Sequence, residues 1–229
     1  MSAQFFITGT DTDAGKTTLA AALLNAARQA GCSTAAVKPV ASGCESTPAG
    51  LRNSDALILQ GQCSLALEYA QINPYAFAPA IAPHLAARQV AVELQVDSLV
   101  AAVQQVLDLR AGFTLVEGAG GWRVPLGPTA MLSDVAIVLG MPVILVVGVR
   151  LGCINHAVLT AQAIAADGLQ LAGWVANVVD ADTACLADIL ATLDERLPAP
   201  CLGRVPRLAE PAPAAVAEYL DLDLLRLSC

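Results

Sequence analysis

The sequence predicts an α/β fold, a single domain in which helices flank a mainly parallel sheet. Short apolar segments rich in β-favouring residues alternate along the chain with longer segments rich in Ala and Leu. Hydrophobic residues make up 56% of the 229 residues and charged residues only 14%, which suits strands buried on both faces beneath helices. No polar linker or internal repeat divides the sequence, so residues 1–229 are expected to form one domain.

Six segments are predicted as strands because they are short, apolar and bounded by turn-forming residues. The second of them stops at Lys38, because Pro39 biases the preceding residue toward an extended conformation. The predicted strands are residues 5–7, 34–37, 113–116, 142–147, 171–178 and 199–206. Since helical segments lie between them, right-handed crossovers and parallel pairing are expected.

Five segments are predicted as helices. The first is rich in Ala and Leu and ends at Gly31, a residue suited to a helix C-terminus. The predicted helices are residues 16–30, 55–60, 96–109, a segment that follows 151–155 and reaches about 166, and 185–196. Residues 41–53 have the composition of a loop, residues 73–83 are interpreted as extended chain, and the segment after residue 206 is interpreted as a polar tail that contains proline.

The turn between the first strand and the first helix has the features of a phosphate-binding loop. Gly9 and Gly15 bracket the turn, and Lys16 and Thr17 open the helix. Backbone N–H groups of the loop and the positive end of the helix would face the phosphates. Lys16 would reach the β- and γ-phosphates, and the Thr17 hydroxyl would bind Mg²⁺. The sequence therefore predicts a nucleotide site here.

The loop departs from the usual pattern G-x-x-x-x-G-K-[ST], which would place glycine where this chain has Thr10. Counted from Gly9, the loop is one residue longer. It also contains Asp11, Thr12 and Asp13, and carboxylates repel phosphate. These side chains either point away from the phosphates or help to recognise a cationic substrate or a metal ion.

Further polar residues follow other predicted strands, at the edge of the sheet where ligands bind in open α/β folds. Lys38 follows the second strand, and Glu117 follows the third and precedes a glycine-rich turn. Together with Thr17 and Asp55, Glu117 could hold Mg²⁺ through oxygen ligands, although Asp55 could equally be a helix cap. Two lysines beside Mg²⁺ would neutralise the charge on a transferring phosphoryl group.

Several function classes are excluded by composition. The net charge is −8, which argues against broad attraction to nucleic acid or to an anionic membrane surface. The most hydrophobic segment, residues 135–149, has Gly140 and Pro142 within it and is too short to span a bilayer, which needs about 20 residues. No export signal is apparent at the N-terminus, and the seven cysteines form no C-x-x-C pair, so a cytoplasmic protein is expected.

Six sequence blocks, taken together, resemble the dethiobiotin synthetase family. They occur in the family's order at residues 9–18, 38–43, 53–57, 116–122, 147–157 and 173–177. The family's longer loop accounts for Thr10. The resemblance implies a P-loop NTPase-like fold and a homodimeric, ATP- and Mg²⁺-dependent cyclo-ligase of biotin synthesis. Its substrates would be 7,8-diaminononanoate and CO₂, and its products dethiobiotin, ADP and phosphate. The residues leave the choice among ATP, GTP and CTP open.

The resemblance also implies a role for individual residues. Lys16 and Lys38 would be catalytic and stabilise the charge on the carbamate and the phosphoryl group. Thr17, Asp55 and Glu117 would hold Mg²⁺. The nucleotide would contact Asp13, Ala14, Gly15, Lys16, Thr17, Thr18, Asp55, Glu117, Gly118, Ala119, Gly120, Asn177, Val178, Pro206, Arg207, Leu208 and Glu210. The diamine end of the substrate would contact Thr12 and Ser42. The substrate carboxylate would reach Gly152, Cys153, Ile154 and Asn155 from across the dimer interface.

Two other protein classes share this loop, lysine and glycine architecture. Partition-type ATPases, which are switch and scaffold proteins, usually carry a lysine early in the loop and an aspartate in the strand motif, where this chain has Thr10 and Glu117. An amide synthetase of cobalamin synthesis would need a glutaminase domain, for which 229 residues leave no room. The ligase is therefore favoured, with the partition-type ATPase as the alternative.

Overall fold

The computed structural model describes residues 2–225 of the chain. Its strands are β1 (Ala3–Gly9), β2 (Thr34–Val37), β3 (Val40–Ala41), β4 (Glu45–Thr47), β5 (Gly50–Arg52), β6 (Tyr75–Ala76), β7 (Phe113–Glu117), β8 (Val143–Val149), β9 (Leu171–Val178) and β10 (Cys201–Val205). Six of them form one sheet in the order β10-β9-β8-β1-β7-β2, and every pairing in it is parallel. β3 pairs with β6, and β4 pairs with β5 in a small hairpin.

The helices cover both faces of this sheet. They are α1 (Lys16–Gln29), α2 (Ser54–Gln62), α3 (Tyr69–Ile72), α4 (Pro83–Gln89), α5 (Val96–Leu107), α6 (Ser133–Val138), α7 (Cys153–Ala166), α8 (Leu186–Arg196) and α9 (Pro213–Ala217), followed by a 3₁₀ turn at Asp223–Leu225. Because successive strand residues point to opposite faces, Phe5 and Ile7 pack with α1 and α9, whereas Phe6 packs with α5. No helix within residues 2–225 has the length and apolar character needed to cross a membrane.

β1 lies inside the sheet with a parallel neighbour on each side. Phe6 is paired with Val116 of β7 and with Val143 of β8. Every residue of β7 and β8 is buried, as expected for parallel strands covered by helices on both faces. The carboxyl ends of β1, β2, β7 and β8 therefore meet at one edge of the sheet, and the loops that follow them form the candidate site.

The predicted fold class is confirmed, and the six predicted strands are the six strands of the main sheet, with ends that shift by at most two residues. The segments between them contain more structure than was predicted. The predicted loop 41–53 holds the β4–β5 hairpin, and the extended segment 73–83 holds the short strand β6. α3 and α4 were not predicted, because helices of four and seven residues are too short to show a helical period.

The prediction of a polar tail after residue 206 was wrong for α9. Val216 of this helix is fully buried and Ala217 is nearly so. Both pack in the cluster that contains Leu19 and Leu23 of α1. A five-residue helix with a few apolar residues between prolines gives little periodic signal, so its packing could not be read from the pattern.

Candidate active site

A cavity of 690 Å³ opens at the carboxyl edge of the sheet. The phosphate loop and the start of α1 line it on one side, and Lys38 and Asp55 line it on another. Two further parts of its wall were not predicted. They are residues 80–83, before and at the start of α4, and residues 124–125, after the glycine-rich turn. Thr12 and Ser42, the expected diamine contacts, both line this cavity.

The phosphate loop is anchored to the neighbouring strand β8. The Thr10 N–H donates to the Val146 carbonyl oxygen at 2.9 Å, and the Thr10 hydroxyl accepts the Gly148 N–H at 3.2 Å. The residue that departs from the usual glycine pattern therefore fixes the base of a longer loop. Gly15 precedes α1 with a φ of 92°, a left-handed conformation that favours glycine, and a Cβ there would lie 2.1 Å from the amide nitrogen of Asn177.

Lys16 folds back over its own loop. Its Nζ donates to the Asp11 carbonyl oxygen at 3.0 Å. The Asp11 carboxylate points away from the loop and pairs with Arg150, which follows β8. Burial lowers the pKa of Lys16 below its ordinary value, and the carboxylate of Glu117 only partly offsets this. Of the two acidic loop residues, Asp11 therefore pairs with Arg150 and does not line the main cavity, whereas Asp13 does.

Lys38 is held by two carboxylates. Its Nζ donates to Glu117 Oε1 at 2.5 Å and lies 3.0 Å from Asp55 Oδ2. Burial acts to lower the pKa of Lys38, but the charges of Glu117 and Asp55 outweigh it, so the pKa lies above its ordinary value. The Thr17 hydroxyl donates to the same Glu117 oxygen at 2.8 Å. The predicted residues from four separate segments therefore meet in one cluster.

Glu117 keeps one carboxylate oxygen unused. The residue is fully buried, and its Oε2 has no hydrogen-bond partner within the part of the chain that the structure describes. An unpaired oxygen of a buried carboxylate is costly unless another group satisfies it. The Thr17 hydroxyl and the Asp55 carboxylate provide further hard oxygen donors in the same cluster, a donor set that fits Mg²⁺.

The structure shows that Asp55 is not the N-terminal cap of α2. The cap of α2 is Asn53, whose side-chain oxygen accepts the Ala56 N–H at 3.2 Å. Asp55 lies two residues further on, in the first turn, and its carboxylate reaches Lys38. Its side chain is 41% exposed, so it borders the cavity rather than closing the helix end.

The residues expected around the nucleotide base lie outside the walls of the main cavity. The Asn177 side-chain amide donates to the Ala14 carbonyl oxygen at 2.9 Å. The Arg207 guanidinium donates to the Val179 carbonyl oxygen at 3.2 Å, which brings the turn after β10 close to the end of β9. Pro206 and Glu210 are exposed.

The expected carboxylate-binding segment lies apart from the main cavity within one protomer. Gly152, Cys153, Ile154 and Asn155 are at the start of α7 and line a separate, mainly apolar surface cavity of 630 Å³. Leu151 beside them is 94% exposed. The structure therefore does not bring these four residues into the wall of the main cavity of the same chain.

Sequence reasoning missed a polar network beneath Lys38. Asn53, Tyr69 and Asn73 join the start of α2 to the backbone of Lys38 through side-chain hydrogen bonds. A capping residue before a helix was a usable signal for Asn53. Tyr69 and Asn73 lie on and just after α3, the helix that showed no pattern, so nothing in the sequence alone connected them with the site.

This arrangement defines a class of protein. A parallel sheet carries a phosphate loop after an internal strand, and two buried lysines and two carboxylates converge beside it; this is a nucleotide-dependent enzyme of the P-loop class. The profile of the family described as "AAA domain" matches residues 3–215. The MinC:MinD cell division complex of Aquifex aeolicus aligns with a TM-score of 0.61 at 13% identity, over 98% of this chain and 94% of that chain. The GDP complex of the signal recognition particle receptor FtsY from Elizabethkingia anophelis aligns with a TM-score of 0.55 at 14% identity, over 93% of this chain and 59% of that chain.

Relatives of higher identity narrow the class. The ATP-dependent dethiobiotin synthetase of Pseudomonas paraeruginosa is 71% identical over 95% of this chain and 96% of its own length. The Cellvibrio japonicus enzyme of that name is 58% identical over 95% of both chains. A third, from Escherichia coli O157:H7, is 52% identical over 98% of this chain and all of its own length. The chain belongs to the dethiobiotin synthetase family.

Proposed function

We infer that this chain is a ligase of biotin synthesis that converts 7,8-diaminononanoate and CO₂ to dethiobiotin and splits ATP to ADP and phosphate. The observation that carries this conclusion is the 71% identity to a dethiobiotin synthetase over 95% of the chain. The geometry of the cavity agrees with it, since an anionic nucleotide and a small diamine both find matching groups there. The whole of residues 1–229 is proposed to act as one synthetase domain in the cytoplasm.

The reaction needs a carbamate oxygen to become a leaving group. One substrate amine captures CO₂ as a carbamate and loses a proton, and a carbamate oxygen attacks the γ-phosphate of ATP, whose bond to ADP breaks as ADP leaves. The neighbouring amine then closes the mixed anhydride to a cyclic urea and releases phosphate. Lys38 and Lys16 would hold the negative charge that builds up on the carbamate and the phosphoryl group, while the loop positions the nucleotide. The protein thus acts mainly by alignment and charge neutralisation.

We propose that Thr17, Asp55 and Glu117 hold Mg²⁺, which when bound would neutralise charge on the phosphates. The unpaired, buried Oε2 of Glu117 supports this assignment. Residues 13–18 and the turn 118–120 are proposed to surround the phosphates. The base contacts are proposed to be Asn177, Val178, Pro206, Arg207, Leu208 and Glu210.

Thr12 and Ser42 are proposed to bind the diamine end of the substrate, and residues 152–155 the carboxylate of a substrate held by a partner protomer. The separation of that segment from the main cavity within one chain, and the exposed Leu151 beside it, support a homodimer.

Leu151→Glu is expected to give a monomer by light scattering that still binds ATP but makes no dethiobiotin. Leu109→Glu, at another exposed leucine, is the matched control and should remain dimeric. A dimeric Leu151→Glu protein would refute this interface.

The first test of the function is phosphate release with ATP and Mg²⁺, measured with and without 7,8-diaminononanoate plus bicarbonate, with the product mass recorded. Release that depends on the diamine and yields a cyclic urea is the expected result. ATP turnover that is indifferent to the diamine would favour the partition-type ATPase instead.

A further inference from the structure

Lys38 belongs to a closed ring of polar contacts that fixes both ends of the residue. At its backbone, the Lys38 carbonyl oxygen accepts the Asn73 side-chain amide at 2.8 Å. Asn73 is buried, and its amide oxygen accepts the Tyr69 hydroxyl at 3.1 Å. The Tyr69 oxygen in turn accepts the Asn53 N–H at 2.7 Å.

The ring closes through α2. Asn53 caps this helix, and two residues later the Asp55 carboxylate lies 3.0 Å from the Lys38 Nζ. The Lys38 N–H is also held, by the Ile72 carbonyl oxygen at 2.7 Å. The Tyr69 hydroxyl therefore connects the backbone of the catalytic lysine with the helix that presents its carboxylate partner.

The aromatic ring of Tyr69 is itself held in place. The Arg52 guanidinium carbon lies 4.1 Å from the ring centroid, a cation–π contact. Tyr69 is not among the residues that line the main cavity. An effect of Tyr69 on turnover is therefore expected to pass through the residues to which it is hydrogen-bonded.

We propose that Tyr69 is a positioning residue for the ligase reaction, which sets the distance between Lys38 and Asp55 through its hydroxyl. Displacement of a catalytic group by about 1 Å can cost on the order of 10²-fold in rate. A hydroxyl that fixes two segments to one another can therefore affect the rate of turnover although it takes no part in the chemical steps. This inference rests on the proposed function, since turnover is one of its measurements.

Tyr69→Phe removes the hydroxyl and keeps the ring. We expect kcat to fall roughly tenfold while the KM for ATP stays within about twofold, because the phosphate loop is untouched. Tyr75→Phe is the matched control, since Tyr75 is also half-buried and its hydroxyl makes no hydrogen bond to the described residues. That variant should keep the wild-type kcat.

A double-mutant cycle separates positioning from a general loss of structure. In an Asp55→Asn background, where the Lys38 partner is already weakened, Tyr69→Phe should lower kcat by less than about threefold. An undiminished tenfold loss in that background would overturn the proposal, as would an unchanged kcat in the single variant. Asn73→Ala breaks the same ring on the Lys38 side and should repeat the pattern if Tyr69→Phe folds poorly.

A measurement independent of turnover completes the test. Lys16 and Lys38 are the two lysines of the sequence, so lysine labelled with ¹³C at Cε gives one signal for each in an NMR spectrum. Tyr69→Phe should move the Lys38 signal and leave the Lys16 signal in place, whereas Tyr75→Phe should move neither. An unmoved Lys38 signal would refute the positioning role of Tyr69, whether or not the wild type is active as a ligase. A wild type that is inactive as a ligase would refute only the proposed function.

Discussion

Lys16 and Lys38 lie in the same cavity, yet the two regions that carry them hold them in opposite ways. Lys16 has a backbone carbonyl oxygen as its partner, and burial lowers its pKa. Lys38 has two carboxylates, which raise its pKa despite nearly complete burial. The phosphate loop thus presents a cation whose charge is only weakly compensated, which suits the phosphate binding proposed for it. The strand-end cluster presents a cation that is already neutralised and fixed in place.

The largest effect is expected from Lys38→Ala. Turnover should fall by at least about 10³-fold, because an oriented charge is lost from the transition state, while ATP affinity changes little. The protein should fold but melt at a lower temperature, since Glu117 loses its counter-ion in a buried position. Steady-state kinetics, ATP titration and thermal melting measure these effects. Turnover within tenfold of wild type would remove Lys38 from the mechanism.

The Mg²⁺ site proposed at the same cluster should weaken when the charge of its buried carboxylate is removed. Glu117→Gln keeps the shape of the side chain but removes the charge, so the affinity for Mg²⁺ in the presence of ATP should drop at least about tenfold. ATP is titrated into each protein in a calorimeter, once in the presence of Mg²⁺ and once in the presence of EDTA. The difference between the two affinities separates the loss of Mg²⁺ binding from any change in the affinity for ATP alone. Asp108→Asn, at an exposed position, is the control. Equal Mg²⁺ affinity in wild type and Glu117→Gln would refute the proposed metal site.

Lys16→Ala tests the difference between the two lysines at the phosphate loop. ATP affinity should fall roughly 10- to 100-fold, because charge-assisted hydrogen bonds to the phosphates are lost. The melting temperature of the nucleotide-free protein should stay the same or rise, because burial of the Lys16 charge opposes folding. A melting temperature lowered as much as in Lys38→Ala would show that the two lysines are held alike.

The smallest effect is a difference in pH dependence. The folded pKa of Lys38 is above 10.5, so its stabilising contribution is complete below pH 10.5 and is lost as the pH rises through the folded value. The folded pKa of Lys16 is below 10.5, so its unfavourable charge is relieved as the pH rises through that lower value. The ¹³C signals of the two labelled lysines should accordingly titrate on opposite sides of pH 10.5, Lys16 first. Titration of Lys38 at a lower pH than Lys16 would contradict the proposed difference between the two lysines.

Prediction from sequence succeeded where one local pattern specifies one structure. The six core strands, the phosphate loop and the meeting of Lys38, Glu117 and Thr17 followed from apolar runs and from the rule that parallel strands end at a common edge. The opposite charge environments of the two lysines could not be predicted. They depend on the pairing of Asp11 with Arg150 and on the capping of α2 by Asn53 rather than Asp55. In both cases neighbouring residues in the sequence could have made the same contact, so the local pattern does not distinguish them.

The position of β1 inside the sheet has a consequence for how the protein is made. Phe6 needs partners at residues 116 and 143, so during synthesis the phosphate loop leaves the ribosome long before the strands that support it. Until β8 has emerged, β1 has an open edge and the Thr10 anchor has nothing to bind. Nucleotide can thus stabilise the anchored loop only after β8 has been translated. A loop that is among the first segments translated therefore depends on a strand that is translated much later.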